Sequence, residues 1–107
     1  MIVGARRSDR IDRLAAEIGG AAIPLDVTSD ASVAEFAAAV PECAVLVNNA
    51  GGAFGLDPIG SADIPDWLAM YEVNVLGTVR MTKALLPTLV ASGNGHIVLM
   101  GSIAGRV

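Results

Sequence analysis

Cysteine occurs once in this chain, at Cys43, so no disulfide can staple the fold from within. A reducing cytoplasm is the natural setting for such a sequence. No apolar run reaches the length of a membrane span, and the start lacks the pattern of a signal peptide. Clustered basic charge is scarce: the net charge is -4 and the pI about 4.6, a poor match for nucleic-acid binding. His96 has no second ligand near it in sequence, which argues against a metal site. There are no internal repeats and no low-complexity linker. What remains is apolar. Hydrophobic residues make up 53% of 107 residues and the mean hydropathy is +0.59. That is rich for a soluble protein of one small domain, and it suggests strands buried on both faces.

Strand-like and helix-like segments alternate along the chain. Met1 to Ala5 reads as a strand. Ser8 is a candidate cap for a helix whose stripe is Ile11, Leu14, Ala15 and Ile18, ended by Gly19-Gly20. Ala21 to Leu25 reads as a second strand. A helix follows with Val33, Phe36, Ala37 and Val40 on one face, stopped at Pro41. Cys43 to Val47 is a third strand, and Gly51 to Gly60 a glycine-rich loop. Asp63 is placed to cap a long helix to Ala91, with Pro65 in its first turn and Pro87 bending it near its end. Trp67, Met70, Tyr71 and Asn74 share one stripe, expected to face the sheet, and Gly77 would allow a close approach. Gly93-Asn94-Gly95 turns into the last strand, His96 to Met100. The alternation predicts βαβ units and a parallel sheet with right-handed crossovers.

Chemistry concentrates where strands end. Asn48-Asn49-Ala50-Gly51 closes the run Ala44-Val45-Leu46-Val47, and the carboxyl end of a strand is where an open α/β sheet has its ligand crevice. Small residues there let the backbone approach a ribose, and the Asn amides would tie neighbouring strands together. An ordinary Asn-Gly turn is the plainer reading. Asp26, before Val27, is either an acceptor for an adenine amino group, with Val27 packed on the ring, or a helix cap. Arg6-Arg7 follows the first strand, where NAD-binding sheets carry an acid and NADP-binding ones an arginine. This favours NADP over NAD, although a solvated helix entry would also explain the arginines. Asn74 is a polar residue on an apolar stripe. It is either packed against backbone carbonyls or sits in a locally opened helix turn whose carbonyl holds a relay water. Ser102 ends the last strand without a His/Asp pair to activate it, so a hydrogen bond to a substrate carbonyl suits it better than nucleophilic attack. Cys43, Trp67, Met70 and Met81 read as packing residues.

Taken in order, Asp26-Val27, Asn48-Asn49-Ala50-Gly51, Asn74 and Met100-Gly101-Ser102 resemble the short-chain dehydrogenase/reductase family, across essentially the whole chain. The resemblance implies a Rossmann-like, doubly wound parallel α/β sheet and an NAD(P)-dependent oxidoreductase. Hydride would pass between NADP(H) and a small hydroxyl or carbonyl substrate. By motif, Ser102 and Asn74 would be the catalytic Ser and Asn, while Asp26, Val27, Asn48, Ala50 and Gly51 would contact the adenosine half of the cofactor. The loop Gly51 to Pro58, with Met100-Gly101-Ser102, looks most like the 3-hydroxy acid/serine dehydrogenase branch. A homodimer or homotetramer of the intact protein is expected, packed through the long helix.

Two family motifs are not in these 107 residues: the first strand with its Thr-Gly-x-x-x-Gly-x-Gly loop, and Tyr-x-x-x-Lys. In the strand order 3-2-1-4-5-6 the missing strand would leave a gap of roughly 10 Å between two strand pairs. The chain therefore reads as one incomplete dinucleotide-binding domain, 1–107, a fragment of a longer enzyme unlikely to act alone. A catalytically inactive nucleotide-binding or regulatory module is the alternative.

Overall fold

The computed structural model describes residues 1–55 and 57–103. Leu56 of the loop motif and Ala104-Gly105 after Ser102 lie outside the described residues. The elements run β1 (Ile2–Ala5), α1 (Ser8–Ile18), β2 (Ala21–Pro24), α2 (Asp30–Ala38), β3 (Val45–Asn48), a 3-10 turn (Ile59–Ser61), α3 (Ile64–Tyr71), a π-helical turn (Glu72–Leu76), α4 (Gly77–Ala91) and β4 (His96–Leu99). Strands thus alternate with helices, and both strand pairs are parallel. The fold is a partial α/β Rossmann-like arrangement.

The four strands form two separate sheets, β1 with β2 and β3 with β4. In register, Ile2 pairs with Ala21 through to Ala5 with Pro24, and Val45 with His96 through to Asn48 with Leu99. The two halves do not close into a new pairing, so each sheet keeps unpaired edges. One core still joins them. Leu25, Val33, Phe36, Val40, Leu46, Met81, Leu85 and Leu89 pack together, drawn from both halves, with Cys43 at the margin. Helices α2 and α4 supply most of it, because their Val33/Phe36 and Met81/Leu85/Leu89 stripes recur at helical spacing, with Val40 just past the end of α2.

Helix ends follow sequence only in part. Helix α1 begins at Ser8 itself, with Arg7 in the cap position and no side-chain cap bond, so the serine is not the cap expected of it. Its end is as expected: Gly19 takes φ 67° and donates its N–H to the Ala15 carbonyl. Ser29, not Asp26, caps α2, its hydroxyl accepting from the Ser32 N–H at 3.2 Å. Asp63 precedes α3 without a side-chain cap bond. The expected apolar stripe of the long helix also departs from expectation. Trp67 is 51% and Tyr71 53% exposed, so the sheets do not cover these two, and of Trp67, Met70 and Met81 only Met81 is core. Periodicity identifies an apolar face but not what covers it.

Candidate active site

Parallel strands bring their carboxyl ends to one rim, and the polar residues gather there. Beyond β3 and β4 lies an open crevice of about 570 Å³ lined by Asn48 to Ala53, Asn74, Thr78 and Leu99 to Ser102. Of the sequence-predicted site residues, Asn48, Ala50, Gly51, Asn74 and Ser102 therefore meet in one place. Arg6, Arg7, Asp26 and Val27 do not line it. They stand past the ends of β1 and β2, on the other sheet.

Asn74 sits inside the π turn Glu72–Leu76. A single-turn widening of this kind shifts the register of an α-helix and is common at functional sites. It aims the Asn74 side chain at the glycine loop. Its Oδ1 accepts the Gly52 N–H and its Nδ2 donates to the Gly52 carbonyl, both at 2.8 Å. Only one orientation of the amide satisfies both bonds. The fit requires glycine at position 51, where a Cβ would stand 2.8 Å from Asn74 Oδ1. The Asn74 carbonyl accepts the Thr78 hydroxyl at 3.0 Å, and a carbonyl keeps a second lone pair for a water. Asn48 Nδ2 donates to Thr82 Oγ1 at 3.2 Å, so this amide ties β3 to α4 and not to a neighbouring strand as expected from sequence. Ser102 is exposed on the crevice wall, just past β4.

On the other sheet, Asp26 Oδ1 accepts both the Thr28 hydroxyl, at 2.7 Å, and the Thr28 N–H, at 3.0 Å. These bonds, helped by the charges of Arg6 and Arg80 and opposed by partial desolvation, hold the carboxyl below its ordinary range. Both contacts use Oδ1. Val27 is half-buried against Gly77, where a Cβ would lie 2.6 Å from Val27 Cγ2. Part of its surface is thus committed to α4. Arg6 and Arg7 are exposed, and Arg7 also leads α1.

The donor set suits a dinucleotide: a carboxylate beside an apolar side chain, exposed guanidinium groups, and a glycine loop held open to close approach. Sequence reasoning missed Gly52, Thr28, Thr78, Arg80 and Thr82, all of which hold other residues in place. Thr78 and Thr82 follow Asn74 at intervals of four on one helix face, a signal that was available. Arg80 bonds to residues 50 and 53 positions away, which no local pattern shows. No group of three or more His, Cys, Asp or Glu among the described residues is placed to hold a metal ion.

Comparison with known proteins agrees with this geometry. The profile of the short chain dehydrogenase family matches residues 1–107. An uncharacterised oxidoreductase of Mycobacterium tuberculosis is 54% identical over 104 residues, covering 97% of this chain and 41% of that protein. The NADP-dependent 3-hydroxy acid dehydrogenase YdfG of Escherichia coli K12 is 39% identical over 111 residues, covering 98% and 45%. Among solved structures, serine dehydrogenase from Escherichia coli superposes with a TM-score of 0.89 at 38% identity, covering 99% of this chain and 51% of that one. The chain spans about half the length of the relatives it matches.

Proposed function

Since the chain belongs to the short-chain dehydrogenase family, we propose that it supplies the adenosine-binding rim and part of the catalytic wall of an NADP(H)-dependent oxidoreductase. The substrate is a small hydroxyl or carbonyl compound, with small hydroxy acids the favoured class. The relatives named for 3-hydroxy acids and serine support that choice. The observation that carries the reading is the Asn74 clamp on Gly52, which fixes the loop after β3 in the same crevice that Ser102 lines.

The nicotinamide, when bound, exchanges the hydride. The chain's own residues bind and orient. Ser102 Oγ donates a hydrogen bond to the substrate oxygen. Asn74 holds the loop through its side chain and offers its carbonyl to a relay water. Asn48, Ala50 and Gly51 bring backbone close to the adenosine half, with Asp26 and Val27 at the adenine. Arg6 and Arg7 receive the 2′-phosphate. Ser102 and Asn74 have no proton of suitable acidity, so the general acid must be another residue. Residues 1–107 form a single, incomplete dinucleotide-binding domain. A homodimer or homotetramer fits the exposed Trp67, Tyr71, Val75 and Val79, which recur every four residues on the long helix. No helix among the described residues is long and apolar enough to cross a membrane. The single free thiol, Cys43, suits a reducing cytoplasm, the compartment we assign.

Nucleotide titration of the native polypeptide that carries these residues tests the reading. NADPH should bind more tightly than NADH. Arg6→Ala should weaken NADPH about tenfold, the scale of one charge-assisted hydrogen bond, and leave NADH nearly unchanged. Equal losses for both would sink the NADP assignment. Tight nucleotide binding without hydride transfer from any small hydroxy acid to NADP+, or from NADPH to the corresponding oxo acid, would favour the inactive module instead.

A further inference from the structure

One charged side chain, outside the lining of the crevice, ties together segments on both sides of the site. Arg80, on α4, meets three elements at once. Its Nε donates to Asp30 Oδ1 at 2.8 Å, at the start of α2. Its Nη1 donates to the Val27 carbonyl at 3.2 Å, next to Asp26. Its Nη2 donates to Glu72 Oε1, the first residue of the π turn. The Arg80 side chain is 22% exposed, against 90% for Asp30 and 38% for Glu72.

Ion pairs with partners this open add little to stability. What a guanidinium adds is direction, because its donors form a rigid planar fork that fixes several acceptors relative to one another. The segments held by this fork are the two that matter. One is the loop Asp26–Thr28, where Thr28 orients the Asp26 carboxylate. The other is the turn that aims Asn74 at Gly52. The Val27–Gly77 contact also links that loop to α4. That contact is apolar and sets distance but no angle.

We propose that Arg80 is a positioning residue that locks the Asp26–Thr28 loop and the Asn74 turn into one arrangement, so that the adenosine end of the dinucleotide site and the loop clamp move together. The proposal rests on the dinucleotide reading for its ligand arm only.

Amide hydrogen exchange on the native polypeptide, without nucleotide, tests the coupling directly. Arg80→Met should speed exchange of both the Thr28 and the Gly52 N–H groups, roughly tenfold each. Two further variants keep Arg80 and serve if that one folds poorly. Asp30→Asn, remote from the clamp, should still speed Gly52. Glu72→Gln, on the far side of the fork, should still speed Thr28. Acceleration confined to the neighbourhood of each replaced residue would mean a merely local role and would overturn the proposal. In the ligand arm, Arg80→Met should weaken NADPH about tenfold with little change in Tm, and Arg80→Lys should not restore it, since an ammonium lacks the fork. Unchanged NADPH affinity in a folded Arg80→Met protein would overturn the proposal as well. If the unaltered protein takes no NADPH, the cofactor reading fails while the exchange arm still decides the coupling.

Discussion

Gly77 shows how one missing side chain fixes the distance between two parts of the site. In an ordinary helix Gly→Ala gains about 1 kcal/mol of propensity. Here a methyl would meet Val27 Cγ2 at 2.6 Å, and forced overpacking costs about 1–3 kcal/mol. The clash should win. Gly77→Ala is expected to lower stability in denaturant unfolding, and Val27→Ala in the same chain should recover part of the loss; simple additivity would show that the two do not touch. Asp26 gives a pH signature. Its folded pKa is lowered, first by the Thr28 hydroxyl and then by the Thr28 N–H. The stabilisation is therefore present above the unfolded carboxylate value, about 3.9, and is lost as pH falls through the lower folded value. Thr28→Val removes the larger cause, so the Asp26 carboxyl resonance should titrate at higher pH and the acid-side stability should shrink. A midpoint that stays put would show that the hydroxyl bond is unimportant. Asn74 was legible at this scale because an amide on an apolar stripe needs partners. Thr28 and Arg80 were not, since their meaning lies in what they touch.

Elements were easier to read than their ends. Apolar runs bounded by glycine, proline or asparagine located the four strands of the described residues to within a residue or two, because short β-branched and aliphatic runs set off by turn residues favour a strand. The opened turn in the long helix was an expected alternative for Asn74, and the π turn at Glu72–Leu76 realises it. Caps were harder. Ser8, Ser29 and Asp63 all have the right chemistry, yet of these only Ser29 makes a side-chain cap bond to a helix N–H. A cap forms only where the preceding backbone is extended and the side chain turns inward, which composition does not state. Removing it should be measurable. Ser29→Ala is expected to cost about 1 kcal/mol. Because α2 also carries Val33 and Phe36 into the core, the loss should appear as a shift of the whole unfolding transition, not as fraying of α2 alone. Exchange that quickens only at Ser32 and its neighbours would contradict that link.

The molecule as a whole is looser than its composition suggests. Its radius of gyration is 15.3 Å, against about 13 Å for a compact domain of this length. The separation into two sheets was legible from the strand order implied by the resemblance, since the pairing motif for the middle of that sheet is not among these residues. The consequence for surface was not legible, because periodicity cannot tell a covered face from a bare one. Leu46 is buried at 7%, while Val45 and Val47 on the opposite face of β3 are 54% and 52% exposed, beside Val98 at 41% on β4. Bare apolar strands with unpaired edges invite pairing with another copy. The 107-residue chain by itself should therefore associate as concentration rises, seen as a growing sedimentation coefficient and light scattering. Val47→Lys places a charge on the bare face, where it removes no core contact, so it should suppress association with little loss of secondary structure. The same substitution in a longer native polypeptide should instead be destabilising if further strands and helices cover that face there. Equal tolerance in both settings would mean that the face is a true surface and that the two-sheet arrangement is the finished one.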